Sequence, residues 1–532
     1  ENHEELTTFQ KQYGKWKPVW NKSGRKWNSI IGASFSFAFP RFNPWFSSKS
    51  EISRSPSAIL KIPASPLSVG QPHPKTTPPS PFPEWRNRLR RHLTEIQLSA
   101  GQIVTLGGIA LIIAGTCLLM TPWATTKHPL RTLDALFTST SAVCLTGLIV
   151  TDTATEFSLF GQLVILGLIQ IGGLGYATLA TLLLLAVGHR IGLNRRMMLA
   201  EALNTLDMAG LIRFVKTILI ITFSFEALGA LFLTIGFARD RPLPQALFDG
   251  IFHAVSAFNN AGFSTFSLNL IEYQQDWLIN LTIGLLVFCG GIGFIVFRDL
   301  LDQAAGIKPR LLPHTKLALS VSGILFLSGM LGMFFLEAHN PQTAGNQTTG
   351  DLLMVSAFHS VSARTAGFNS VDLSQFLPST LYMLILLMLV GGSPGGMAGG
   401  LKTTTVGVVW LAVWGIVRKK AELHFFSRRM PPYLVLRAMA LSLLAIGTVT
   451  GLTFILVFTE QLPFLSIMFE VASALGTVGL SVGDGGVLSL SAKFSDIGKI
   501  IILLSMVLGR YGTLLFGLGS ILPPQAPRFR YA

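Results

Sequence analysis

Apolar residues run along this chain in long stretches free of charge, broken by short polar clusters. Residues 96–126 and 157–188 contain no Asp, Glu, Lys or Arg. Each is long enough for a helix across a hydrocarbon core of roughly 30 Å. The order then recurs. Further first spans are predicted at about 217–238, 317–336 and 438–459, and further second spans at about 277–297, 378–417 and 498–521. Between the two spans of each pair lies a shorter segment, about 133–143, 245–258, 350–362 and 463–474. These are too brief to cross and are predicted to be re-entrant helices. The pattern predicts an all-α polytopic membrane protein of eight transmembrane helices and four re-entrant pore helices. Its repeats are 96–188, 217–297, 317–417 and 438–522.

Each short segment leads into one glycine motif. The first ends Cys144, Leu145, Thr146, Gly147, and the second Asn259, Asn260, Ala261, Gly262. The third ends Arg364, Thr365, Ala366, Gly367, and the fourth Gly476, Thr477, Val478, Gly479. The glycines lie 115, 105 and 112 residues apart, and the four copies align without a gap. A small residue stands five before each glycine (Ala142, Ala257, Ser362, Ala474) and a bulky apolar one just after. This is a fourfold internal repeat. Non-helical backbone at membrane depth is tolerated where it is buried in protein or lines a water-filled cavity. Four such strands around one axis present rings of backbone carbonyls, which replace the hydration shell of a monovalent cation. The short helices would aim their partly negative C-terminal ends at the same axis.

Charge sets the orientation. The chain is 50% hydrophobic and 13% charged, with mean hydropathy +0.54 and net charge +15. The links 189–216, 298–316 and 418–437 hold 15 Lys and Arg. The connections within repeats hold 7 against 14 acids. Positive charge marks the cytoplasmic face, so links and both termini are expected in the cytoplasm and the glycine motifs enter from outside. The basic excess is therefore a membrane signature, and no nucleic-acid partner is expected. Residues 1–95 carry a net charge of +9, with prolines and serines crowded from Ser47 to Pro83. They read as a disordered basic cytoplasmic tail. Trp16, Trp20 and Trp27 among its lysines leave a contact with anionic lipid headgroups open. Cys117, Cys144 and Cys289 give neither a disulfide framework nor metal-ligand spacing. No nucleophile–base constellation or cofactor motif appears, so an enzyme is not expected.

Two further features lie in the second spans. Gly172-Gly-Leu-Gly175 and Gly290-Gly-Ile-Gly293 align with Gly509-Arg-Tyr-Gly512, which places Arg510 inside a membrane span. An intramembrane charge is costly and functional by default. The stretch 391–405 contains Gly391, Gly392, Gly395, Gly396, Gly399, Gly400 and Pro394, followed by Lys402. It cannot hold a helix. It is not a phosphate loop either, because Leu401 separates Gly400 from Lys402.

The motifs 256–263, 364–368 and 476–481 resemble the KtrB/TrkH/HKT superfamily of potassium transporters, closest to the KtrB type, over about 96–522. The resemblance implies four pseudo-repeats around one pore, with the sixteen motif residues above as the selectivity filter. Glycine at all four positions goes with potassium in that family, and serine in the first goes with sodium-selective plant members. It also implies that 391–405 is an intramembrane gating loop and Arg510 part of the gate. K+ is then the substrate, held by filter carbonyls with no bound cofactor, and Na+ a candidate activator. The implied setting is the plasma membrane, and the implied partners are a second copy (homodimer), membrane lipids and a cytosolic RCK-type nucleotide-binding subunit (KtrA/TrkA-like). Arg195, Arg196, Arg418, Lys419 and Lys420 are plausible docking positions for it. A sodium-conducting member and a non-conducting assembly subunit stand as alternatives. From position alone, Arg364 and Glu470 are expected to pair behind the filter, and Glu226 is left without a role.

Overall fold

A computed structural model describes residues 100–175, 211–343, 348–419, 424–425, 428–483 and 487–518. The basic tail 1–95, Arg195, Arg196 and Lys420 lie outside them. The first repeat contributes α1 (Ala100–Leu119), α2 (Thr132–Cys144) and α3 (Leu159–Leu174). Next come α4 (Leu211–Phe237), α5 (Leu243–Phe258), α6 (Trp277–Ile292) and α7 (Phe294–Ala304). They are followed by α8 (Pro313–Glu337), α9 (Thr349–Ser362), α10 (Pro378–Leu389) and α11 (Thr403–Val417). The last are α12 (Pro432–Glu460), α13 (Phe464–Gly476) and α14 (Asp496–Leu518).

The boundaries have local causes. Ser158 and Asp276 accept hydrogen bonds from the Gly161 and Ile279 amides at 3.2 and 3.0 Å, which caps α3 and α6. Prolines open α8, α10 and α12, where a missing N–H costs nothing. Among the described residues, three helices, within α4, α8 and α12, are long and apolar enough to cross a membrane, and α6 with α7 would make a fourth if taken as one bent span. Their outward faces carry exposed large apolar side chains such as Ile220, Phe335, Phe454 and Phe458. Lipid, not water, suits such surfaces.

One expectation changes. The predicted span 277–297 does not run on as one helix: it breaks at Gly293, and α6 and α7 meet at 93°. Gly293 has φ +98°, and a methyl there would lie 2.7 Å from the Pro394 carbonyl oxygen, so a close approach of another segment makes the bend. The helical class stands. A short hairpin, β1 (His424–Phe425) and β2 (Arg428–Arg429), pairs His424 with Arg429 inside a basic link.

Candidate ion-conducting site

The short helices α2, α5, α9 and α13 end at, or one or two residues before, the four motifs. Beyond each end the backbone takes the same path. Leu145, Asn260, Thr365 and Thr477, two residues before each glycine, have φ of +59°, +57°, +85° and +50°. The glycines themselves have φ of +88°, +72°, +76° and +95°. Left-handed backbone is uncommon for a leucine and an outlier for a threonine, and such strain gathers at functional sites.

The glycines close on one another in a ring. A methyl on Gly147 would lie 2.5 Å from the Ala261 carbonyl oxygen and 3.1 Å from the Gly262 Cα. One on Gly262 would lie 2.7 Å from the Ala366 oxygen, and one on Gly367 would lie 2.5 Å from the Val478 oxygen. On Gly479 it would overlap the Thr146 oxygen and stand 3.0 Å from the Gly147 Cα. The order 1, 2, 3, 4 thus returns to 1. The carbonyls of Thr146, Ala261, Ala366 and Val478 each face the glycine of the preceding strand in that order.

Serines hold the strands. Ser141 and Ser473 accept from the Gly147 and Gly479 amides at 3.0 Å, and Ser256 donates to the Phe263 carbonyl at 2.7 Å. The third strand differs, because Val361 stands where the others have that serine. There Ser362, one residue later, donates to the Phe368 carbonyl at 2.5 Å, and its own carbonyl receives the Ala366 amide at 2.9 Å. All four glycines line one funnel, together with Asp152 and Asp372. Its cavity of about 60 Å³ has room for several waters.

Beneath the helix ends lies the glycine-rich stretch. The glycines Gly172, Gly290 and Gly509 press against the carbonyls of Val143, Phe258 and Leu475, the matching position of strands one, two and four. Between α10 and α11 the loop closes on itself through Gly391 N–H to the Leu401 carbonyl, 2.8 Å, and Ser393 to Thr403, 2.8 Å. It docks on the α6 break: the Ser393 amide donates to the Gly291 carbonyl at 2.9 Å and the Phe294 amide to the Gly395 carbonyl at 3.0 Å. Gly399 sits so close under Thr477 that any side chain there would overlap it. The Lys402 ammonium donates to the Ala398 carbonyl at 2.6 Å. Arg510 joins two bodies: its guanidinium donates to the Met397 carbonyl of the loop and, at 2.8 Å, to the Gly172 carbonyl of α3.

The expected pair of Arg364 and Glu470 does not form. Arg364 turns to α8 and donates to the Ser322 carbonyl and hydroxyl at 3.1 and 3.0 Å. Glu470 instead accepts from Ser481 at 2.6 Å, from the Ser491 amide at 2.9 Å and from the Ser491 hydroxyl. Neutral acceptors on Ser322 take up the Arg364 guanidinium, and neutral donors on Ser481 and Ser491 surround Glu470, so the two charges do not meet. His253 and His359 are packed and hydrogen-bonded within their helices, to the Asp249 and Val355 carbonyls.

Residues 88–527 match the TrkH model, described as a cation transport protein. The chain belongs to the TrkH family. The Ktr system potassium uptake protein B of Bacillus subtilis is 42% identical to it over 79% of this chain and 93% of that protein. The Vibrio alginolyticus protein of that name is 37% identical, over 78% and 89%. The potassium/sodium uptake protein NtpJ of Enterococcus hirae is 35% identical, over 81% and 94%. The crystal structure of the potassium transporter TrkH from Vibrio parahaemolyticus matches with a TM-score of 0.62 at 21% identity, covering 80% of this chain and 86% of that one. That likeness shows the helical fold. TrkH-family membership carries cation transport as the function class, not enzymatic catalysis.

Sequence reading left out the props of this TrkH-family ring. Ser489 pairs with Ile149, two residues past Gly147, through both amides at 2.9 and 3.0 Å. Glu470 pegs the segment that carries Ser489 by way of Ser491. Removing a buried carboxylate that holds two serines and an amide costs about 3 kcal/mol. Glu470→Ala is therefore expected to lower the thermal unfolding midpoint of the purified protein by several degrees. An unchanged midpoint would show that the Glu470 network does not support the fold.

Proposed function

We propose that this chain is the membrane subunit of a potassium uptake system, built as four pseudo-repeats of span, re-entrant helix, glycine strand and span, eight spans in all. The observation that carries this reading is the closed ring of four positive-φ glycines with a carbonyl against each. A potassium ion entering the funnel exchanges water for the carbonyls of Thr146, Ala261, Ala366 and Val478. The C-terminal ends of α2, α5, α9 and α13 add negative potential at that point. The names of the relatives, potassium uptake protein B among them, support potassium as the ion.

Gating follows from what lies under the ring. The loop 391–405 packs against Gly476 and Thr477, and Arg510 ties it to α3. In the closed state the guanidinium repels cations and the loop fills the path. Opening requires the two carbonyls to be released, and a glycine-rich backbone permits the change of shape. A cytosolic nucleotide-binding subunit on the basic links supplies the trigger, and two copies of the chain assemble in the plasma membrane with links and termini inside. The words "Ktr system" in the relatives' names support a multi-component assembly. Arg418, on the link face, stacks 4.7 Å over Trp414 and is free to carry such a contact only after rotating away.

The test is rubidium uptake by cells lacking their own potassium uptake systems, with and without sodium and with an RCK-type partner supplied. The expected result is uptake competed by potassium, above that of cells without the chain. Uptake competed better by sodium would support the sodium-conducting reading. No flux from well-expressed protein would support a non-conducting subunit.

A further inference from the structure

Glu226 stands in the middle of α4 and is only 6% exposed. Among the described residues its carboxylate meets two neutral amides: Asn259 donates to one oxygen at 3.0 Å and Gln170 to the other at 3.3 Å. Asn259 also donates to the Gln170 side chain at 3.1 Å and to the Val255 carbonyl at 2.9 Å. Next to this cluster the Phe225 ring stacks on Phe258 at 5.6 Å, which locks α4 against the end of α5. Gly173 of α3 leaves the room that the Asn259 side chain occupies. Asn259 is three residues before the ring glycine Gly262. Its side chain thus faces away from the ring while its backbone enters the strand. The matching residues of the other strands are Cys144, Arg364 and Gly476, and no carboxylate touches any of them among the contacts described.

A carboxylate held in a membrane interior by neutral amides is expensive unless a positive charge comes near it. The permeating cation is such a charge, and Asn259 couples the carboxylate to the second filter strand. We propose that Glu226 is a positioning residue for that strand, acting through Asn259, and the fixed counter-charge of the ion in the ring. This rests on the potassium-uptake reading above and adds to it a residue that sets how tightly the ion is held.

The test uses rubidium uptake kinetics of the full chain in cells lacking their own potassium uptake. Glu226→Gln keeps the shape and loses the charge. It is expected to raise the half-saturating rubidium concentration about tenfold, with the maximal rate, per protein in the membrane, within about twofold. A lowered maximal rate with unchanged half-saturation would mark a merely structural role and overturn the proposal. Where Glu226→Gln does not reach the membrane, Glu226→Asp decides. It keeps the charge on a shorter stem, so half-saturation within about threefold of the parent supports the proposal, and a rise of about tenfold overturns it. Absence of uptake by the parent chain itself would sink the potassium reading, a result distinct from any change between variants.

Discussion

Gly479→Ala is expected to cut rubidium uptake about a hundredfold at equal amounts of protein in the membrane. The methyl would overlap the Thr146 carbonyl oxygen and stand 3.0 Å from the Gly147 Cα, on backbone with φ +95°. Holding a side chain in that conformation costs on the order of 1–3 kcal/mol before any clash. Backbone on both sides of the contact leaves nothing flexible to yield. The ring must open at that corner, and an ion loses a carbonyl from its shell there. Every 1.4 kcal/mol is about tenfold in a rate or an affinity, so about two decades follow from strain and lost coordination together. Gly447→Ala and Gly451→Ala are the controls. Both lie in α12 with open space around them, and alanine is the better helix former, so uptake should not change. Equal loss in all three variants would mean that the ring geometry is not what limits flux.

Arg510→Ala is expected to have the opposite sign, raising uptake about tenfold and weakening its dependence on a regulatory subunit. The arginine gives up two hydrogen bonds, to Met397 and to Gly172, that tie the loop to α3. A bond with one charged partner contributes about 1.5–3 kcal/mol, so losing even one shifts a closed loop about tenfold towards open. The positive charge in the path goes as well. Arg510→Lys keeps the charge with a single point donor in place of the fork, and should fall between the two. Initial rates at matched expression check this. Slower uptake by Arg510→Ala would show that the guanidinium supports the open path.

Much of this was legible in the sequence because the fourfold repeat multiplies a weak local signal. One glycine turn says little, but four in register fix where the short helices end. The predicted ends 143, 258, 362 and 474 stand within two residues of the observed Cys144, Phe258, Ser362 and Gly476. The break after α10 was readable for the same local reason, since glycines and Pro394 exclude a helix whatever surrounds them. The bend at Gly293 was not, because Ile292 and Phe294 on either side look like any apolar span. The bend belongs to the loop about a hundred residues later that presses on it. Side-chain partners were the least legible. Arg364 and Glu470 read as a pair because their charges are opposite and they stand near the filter in neighbouring repeats. The choice was made by Ser322, Ser481 and Ser491, neutral residues that carry no mark in a charge pattern. The cluster joins Gln170 of α3, Glu226 of α4 and Asn259 just past α5; the motif marks Asn259 and its charge marks Glu226, but nothing in the sequence marks Gln170 or brings the three together.

The most direct measurement of the central claim is competition for rubidium flux into liposomes holding the purified chain. Potassium and sodium are titrated as competitors against the parent and against Gly147→Ser. If the four glycines form a cation-selective ring, the parent is blocked by potassium at much lower concentration than by sodium. Gly147→Ser narrows that difference, since its side chain would meet the Ala261 carbonyl. Equal competition by both ions in both proteins would contradict the account.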